Sequence, residues 1–241
     1  MNLAKLNRFG AIFSLLYPPV CAICGESVEA GEYLCGACND KVVRIVPPFC
    51  ERCSEPFAGA ITGQFNCANC EHRRLHFEAA VSAYRSRGIV RRVVLDFKYG
   101  KQTHLRHLLG QWLGTALNDT RLRGRQFDVI VPVPLHPARE RERGFNQAAL
   151  LANSLSTKMS ILTKPALERT RYTTTQTAFD RTERMENLRN AFRLRRKMDV
   201  RGLRVLLIDD VLTTGSTVSE CARVLKEAGA SSVHAATAAR A

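Results

Sequence analysis

The most chemically suggestive stretch of the chain is Val205-Leu206-Leu207-Ile208-Asp209-Asp210-Val211-Leu212-Thr213-Thr214-Gly215-Ser216-Thr217. An apolar run delivers two adjacent carboxylates at its end, and a hydroxyl-rich turn with one glycine then leads into a helix-forming segment. Such a turn offers backbone N–H groups, hydroxyls and a helix N-terminus as convergent donors to a phosphate. The glycine lets the backbone approach closely. Asp209 and Asp210 would repel that phosphate unless they hold something else, and sugar hydroxyls or a hydrated Mg²⁺ are the natural partners. The run therefore predicts a site for a phosphorylated sugar. Taken singly, Asp210 reads as a turn residue and Thr213 or Thr214 as an ordinary helix cap; the whole run does not.

A second chemistry lies near the other end. Eight of the nine cysteines form four Cys-x-x-Cys knuckles, Cys21/Cys24, Cys35/Cys38, Cys50/Cys53 and Cys67/Cys70. Each knuckle puts two thiolates on one tight turn, and two knuckles complete the tetrahedral sulfur shell that Zn²⁺ prefers. Pro18-Pro19-Val20-Cys21-Ala22-Ile23-Cys24 is echoed by Pro47-Pro48-Phe49-Cys50-Glu51-Arg52-Cys53, and one further knuckle follows each copy. The repeat favours two successive zinc ribbons, with a pairing of alternate knuckles as the other arrangement. A disulfide framework would call for a secretory signal. The short apolar stretch at residues 11–17 runs straight into Pro18-Pro19 instead. Closed tetrathiolate sites are structural, so no reaction is assigned to these metals. His72, two residues after Cys70, could substitute as a ligand, the plainer reading being a surface histidine; Cys221, on a stripe with Val218, Ala222 and Leu225, reads as a small buried hydrophobe.

Charge separates the same two regions. Residues 1–75 hold seven bases and seven acids, whereas residues 76–241 hold 29 bases and 15 acids and so carry the whole net charge of +14. Arginine supplies 23 of those 29 bases, which favours bidentate phosphate recognition over mere solubilisation. With 45% apolar and 24% charged residues in 241, a disordered or fibrous chain is excluded. No stretch approaches the roughly 20 apolar residues of a membrane span, and a cytoplasmic location is expected.

The elements that must position these residues follow from periodicity. An amphipathic helix is expected over 3–16, a strand over 77–84, and helices over 89–97 and 105–117. A buried strand over 127–134 enters a proline-bounded loop, and a helix spans 146–155. Residues 203–208 read as a strand buried on both faces, 215–228 as a helix ended by Gly229, and 232–237 as the last strand. Alternating strands and helices predict an α/β fold with a mainly parallel sheet for 76–241, preceded by a small cysteine-rich zinc-ribbon domain at 1–75.

The Asp209–Thr217 run resembles the phosphoribosyl pyrophosphate (PRPP) signature of type I phosphoribosyltransferases. Together with the knuckles, Phe97-Lys98-Tyr99-Gly100, Val131-Pro132-Val133-Pro134-Leu135-His136 and Arg143-Gly144-Phe145-Asn146-Gln147-Ala148, it resembles the ComF/GntX family over essentially the full length. That family includes proteins associated with DNA uptake and with gluconate utilisation. The resemblance implies that Asp209 and Asp210 hold the ribose hydroxyls, directly or through Mg²⁺, and that Thr213, Thr214, Gly215, Ser216 and Thr217 cradle the 5-phosphate. It places the pyrophosphate on a loop at 132–143, with Arg139 and Arg143 as clamps and His136 either a contact or a shaper of the loop. Residues 169–192, with Arg171, Gln176 and Arg181, match a flexible loop that closes over PRPP; a solvated loop and helix face is the plainer reading. Two functions follow: transfer of the phosphoribosyl group to an unidentified acceptor, or non-catalytic binding of single-stranded nucleic acid in DNA uptake. Aromatic residues are only 7%, so base-stacking platforms are not evident, and no acceptor-base pocket is recognisable in the sequence.

Overall fold

A computed structural model describes residues 18–59, 61, 63, 65–172 and 188–241. The helix expected over 3–16 lies outside the described residues. The ribbon segment carries two one-turn helices, α1 (Gly36–Asn39) and α2 (Ala68–Glu71). There follow β1 (Ala80–Ser82), α3 (Gly88–Tyr99), a 3-10 turn (Thr103–Leu105), α4 (Arg106–Leu117), β2 (Val129–Pro132), α5 (Pro137–Arg143) and α6 (Gln147–Met159). The remainder is β3 (Leu167–Arg169), β4 (Phe192–Leu194), β5 (Arg204–Leu212), α7 (Ser216–Glu227) and β6 (Ser232–Arg240).

Four strands form a parallel sheet in the order β1-β6-β5-β2. Its central strands are apolar on both faces, as a covered parallel sheet requires. Leu206 and Ile208 of β5 point to the face packed by α3, α4 and α6, together with Cys21, Leu34 and Cys38 of the first ribbon. Val205 and Leu207 point to the other, against α7, the β3–β4 pair and the second ribbon's cysteines. The period of two along one strand thus assigns each ribbon to its own side of the sheet.

The repeat seen in the sequence is a repeat in structure. Val20 bridges Ser27 and Phe49 bridges Pro56; Cys21 N–H donates to Glu26 C=O at 2.7 Å, and Cys50 N–H to Glu55 C=O at 2.8 Å. Ala22 N–H reaches Tyr33 C=O and Glu51 N–H reaches Phe65 C=O, each at 2.9 Å. Cys35 and Cys67 then cap α1 and α2.

Several boundaries differ from expectation. β5 does not stop before the carboxylates. Its ladder with β6 continues through Asp209↔Thr237, Val211↔Ala239 and Leu212↔Arg240, because backbone pairing tolerates polar side chains that end an apolar run. The region 127–145 expected as strand and loop contains α5. That helix has no buried residue and therefore no apolar stripe to reveal it. Its signals are Pro137 in the first turn, His136 as cap and Gly144 at φ 83° as stop. The strand expected over 77–84 is regular only at Ala80–Ser82. The short antiparallel β3–β4 pair was not anticipated.

Candidate functional site

Beyond the carboxyl ends of β2 and β5, where open α/β sheets place their ligands, lies a cavity of about 230 Å³. Asp209, Asp210, Thr213 and Thr217 form one wall, and His136, Arg139 and Arg143 face them. Seven residues singled out in the sequence thus meet around one space. Thr214, Gly215 and Ser216 do not line it. The Thr214 carbonyl and the Ser216 hydroxyl are turned to the second ribbon, where they accept from Arg73 at 3.1 and 2.9 Å. Arg171 lies off the cavity, donating to the Arg189 carbonyl at 3.3 Å. Gln176 and Arg181 lie outside the described residues.

The carboxylates occupy different environments. Asp210 is buried, and Lys98 Nζ in the last turn of α3 pairs with its Oδ1 at 2.9 Å. Burial pulls the Lys98 ammonium down, but Asp210 overrides this and leaves it above its ordinary value. Asp209 accepts from the Asp210 amide at 2.9 Å. Burial first, and then the charge of Asp210, raise its carboxyl to about 7.

The opposite wall is cationic. Arg139 and Arg143 stand one turn apart on α5, hence on one face. Arg139 lies 5.5 Å from the Tyr172 ring; Arg143 lies 4.9 Å from the Tyr99 ring and donates to its hydroxyl at 3.2 Å. His136 is a shaper of this segment, because its Nδ1 accepts from Ala138 N–H at 3.2 Å and so caps α5. Its ring also stands edge-on to Tyr172, 5.2 Å between centroids.

Four further cavity residues, Lys98, Gln147, Arg169 and Tyr172, fall within segments noted in the sequence but were given no individual role there. Lys98 follows Phe97 on a helix whose buried stripe is Val90, Val93, Val94 and Phe97, so its position one step off the stripe was the available signal. Burial pulls the Arg169 guanidinium below its ordinary value. Gln147 is 2% exposed, and its Nε2 has no hydrogen-bond partner among the described residues. A buried donor facing a cavity without a partner costs about 1–3 kcal/mol, and a ligand oxygen would satisfy it. Four cations around two acids leave the space with a formal excess of positive charge, which suits a polyanion that also carries hydroxyls.

The cysteines form two tetrads of consecutive knuckles, Cys21/Cys24/Cys35/Cys38 and Cys50/Cys53/Cys67/Cys70, with sulfurs of each set within 4.8 Å of one another. The Cys24–Cys35 and Cys53–Cys67 sulfurs are 3.6 Å apart. Tetrahedral Zn–S bonds of about 2.3 Å imply sulfur separations of about 3.8 Å, so both tetrads fit zinc. None of the nine cysteines forms a disulfide. The second tetrad is wholly buried, whereas Cys24 of the first is exposed.

The architecture defines a phosphoribosyltransferase-fold protein carrying a double zinc ribbon. The family "Double zinc ribbon domain" matches residues 12–72, and "Phosphoribosyl transferase domain" matches residues 117–241. The chain belongs to the ComF/GntX family, which joins these two parts. It is 31% identical over 223 residues to DNA utilization protein YhgH of Escherichia coli K12, covering 91% of this chain and 96% of the relative. Competence protein F of Haemophilus influenzae is 30% identical, over 81% of this chain and 85% of that protein. Among solved structures, the glutamine PRPP amidotransferase from B. subtilis complexed with ADP and GMP is 23% identical with a TM-score of 0.37. That alignment covers 55% of this chain and 26% of the other, so the chain spans about a quarter of that protein's length. No helix among the described residues is long and apolar enough to cross a membrane.

Proposed function

We propose that the cavity binds PRPP with Mg²⁺ and transfers its phosphoribosyl group to a nitrogen acceptor, in a cytoplasmic protein linked to DNA uptake, a role in keeping with relatives named for DNA utilization and competence. Residues 76–241 are the phosphoribosyltransferase unit in this reading, and 1–75 its zinc-ribbon partner. The observation that carries it is the meeting, around one cavity, of the Asp209–Asp210 pair, Thr213 and Thr217 from the two ends of the turn, and the arginines of α5 and β3.

The chemistry needs no protein nucleophile. The amine forms a bond to the anomeric carbon as the bond from that carbon to pyrophosphate oxygen breaks, and the electron pair departs with pyrophosphate. Asp210, held by Lys98 through one oxygen, accepts from a ribose hydroxyl through the other. Asp209 accepts from the neighbouring hydroxyl and supplies negative charge near the cation-like ribose. Thr213, Thr217 and the turn amides take the 5-phosphate, while Arg139, Arg143 and Arg169 receive the charge of the leaving group. Asp209 is the residue that would hold Mg²⁺, and the ion would supply further charge neutralisation to the leaving group. Positioning alone contributes about 7–11 kcal/mol to such a displacement.

Titration with PRPP and Mg²⁺ followed by calorimetry tests the reading. Saturable binding is expected in the wild type, with loss of about 10-fold or more in affinity for Asp209→Asn and Asp210→Asn. Pyrophosphate release with a panel of nitrogenous bases then reports transfer. The second reading, single-stranded nucleic acid, is favoured by Arg87, Arg91, Arg92, Arg123 and Arg125, which are exposed. The same titration separates the two: no PRPP binding beside salt-sensitive binding of a single strand would leave only the second.

A further inference from the structure

The second zinc ribbon reaches into the turn that the proposed function assigns to the phosphate. Asn69 Nδ2 and Arg73 NH1 both donate to the Thr214 carbonyl at 3.1 Å, and Arg73 NH1 also donates to Asn69 Oδ1 at 2.5 Å. Arg73 NH2 donates to Ser216 Oγ at 2.9 Å, and that hydroxyl pairs with Thr214 Oγ1 at 2.8 Å. Asn69 belongs to α2, between Cys67 and Cys70 of the second tetrad, and Arg73 follows Cys70 by three residues. From the other end, Arg240 donates to the Cys53 carbonyl at 3.1 Å and to the Leu212 carbonyl at 3.2 Å. The ribbon's grip therefore falls on both sides of Thr213.

The grip has a directional effect. In a trans peptide the C=O and the following N–H point opposite ways. Fixing the Thr214 carbonyl toward the ribbon aims the Gly215 N–H away from it. Gly215 sits at φ 75°, and a glycine on one side of a peptide gives that plane little intrinsic resistance to rotation. Orientation of this amide thus depends on what holds the carbonyl. The holders are two side chains whose own backbone is fixed by tetrad two. The first tetrad packs on the opposite face of the sheet, with α4, and none of these bonds comes from it.

We infer that Arg73, with Asn69, is a positioning residue for the phosphate turn, and that the second zinc ribbon sets the turn's amides in their ligand-binding orientation. This rests on the proposed sugar-phosphate reading for the ligand, but not for the coupling itself. The zinc-loaded full chain is compared with Arg73→Ala, Asn69→Ala and the neighbouring exposed Arg74→Ala, after metal analysis shows equal zinc content. Two readouts are taken: hydrogen exchange of amides 214–217, and affinity for ribose 5-phosphate. The expected result is exchange roughly 10-fold faster and affinity roughly 10-fold weaker in Arg73→Ala, a smaller change in Asn69→Ala, and no change in Arg74→Ala. Unchanged exchange in Arg73→Ala overturns the inference. Faster exchange with no ribose 5-phosphate binding by any form keeps the coupling and removes the sugar-phosphate reading. Should Arg73→Ala lose zinc, Arg73→Lys, which keeps the charge but only one contact point, must give intermediate exchange at full zinc, and exchange equal to wild type there also overturns it.

Discussion

Asp209 is the residue at which burial and the proposed function meet. Its carboxyl titrates near 7 instead of near 4 because desolvation and Asp210 penalise the anion. A raised folded value means that Asp209 supports the ligand-free fold fully below about pH 4 and that this support is lost as the pH rises through 7. Asp209→Asn keeps an acceptor for the Asp210 amide and cannot ionise. We therefore expect it to be more stable than wild type at pH 8, by roughly 1–3 kcal/mol, with the difference vanishing at pH 4. Thermal melts across that range measure it, and a pH-independent difference would refute the assignment. At this scale the sequence was informative where chemistry was local. Asp209, Asp210, Thr213 and Thr217 share one run, so their convergence could be read directly. Lys98, Gln147 and Arg169 come from three separate elements, and only the packing of those elements aims them at one cavity.

Among elements, α5 and α6 both contribute residues to the cavity lining and are joined by Gly144-Phe145-Asn146. Asn146 caps α6 by accepting from the Ala148 and Ala149 amides at 3.0 and 3.4 Å, and its Nδ2 donates to the Val133 carbonyl at 3.1 Å. One side chain thus holds a helix start and the exit of β2 together. Asn146→Ala is expected to cost about 1–2 kcal/mol, while Asn146→Asp, which keeps the cap but not the donor to Val133, should recover part of it. Chemical denaturation decides this, and an Ala variant as stable as wild type would contradict it. The helices α3, α4, α6 and α7 were legible because each buries a stripe. α5 was not, for it buries nothing, and pattern reading has no purchase on a helix without an apolar stripe.

Across the whole molecule, the two ribbons are equivalent in fold and unequal in setting. Tetrad two is buried within the core beside Phe77 and Leu75, whereas tetrad one leaves Cys24 open to solvent. Structural zinc contributes on the order of 10 kcal/mol per site to folding, but release requires access. Treatment with a chelator and an alkylating agent should therefore release zinc in two phases. Cys24 and Cys35 should be modified in the first phase and Cys50, Cys53, Cys67 and Cys70 in the second, as mapped by mass spectrometry. Simultaneous modification of both tetrads would rule out this difference. The knuckle spacing foretold the tetrads, since ligation geometry is written in short sequence intervals. It did not foretell which ribbon lies on which face, because that follows from sheet topology.

The strand order has one more implication, for biosynthesis. β6 is the last of the described strands yet lies between β1 and β5, and among the described residues β1 has no other strand partner in the sheet. Arg240, near the end of the same segment, also supplies the bond to Cys53 that seats the second ribbon. On the ribosome, the edge of β1 and the second ribbon must both wait, exposed, until β6, about 150 residues downstream of β1, has emerged. The nascent chain is for that interval a natural client of chaperones and is open to misassembly.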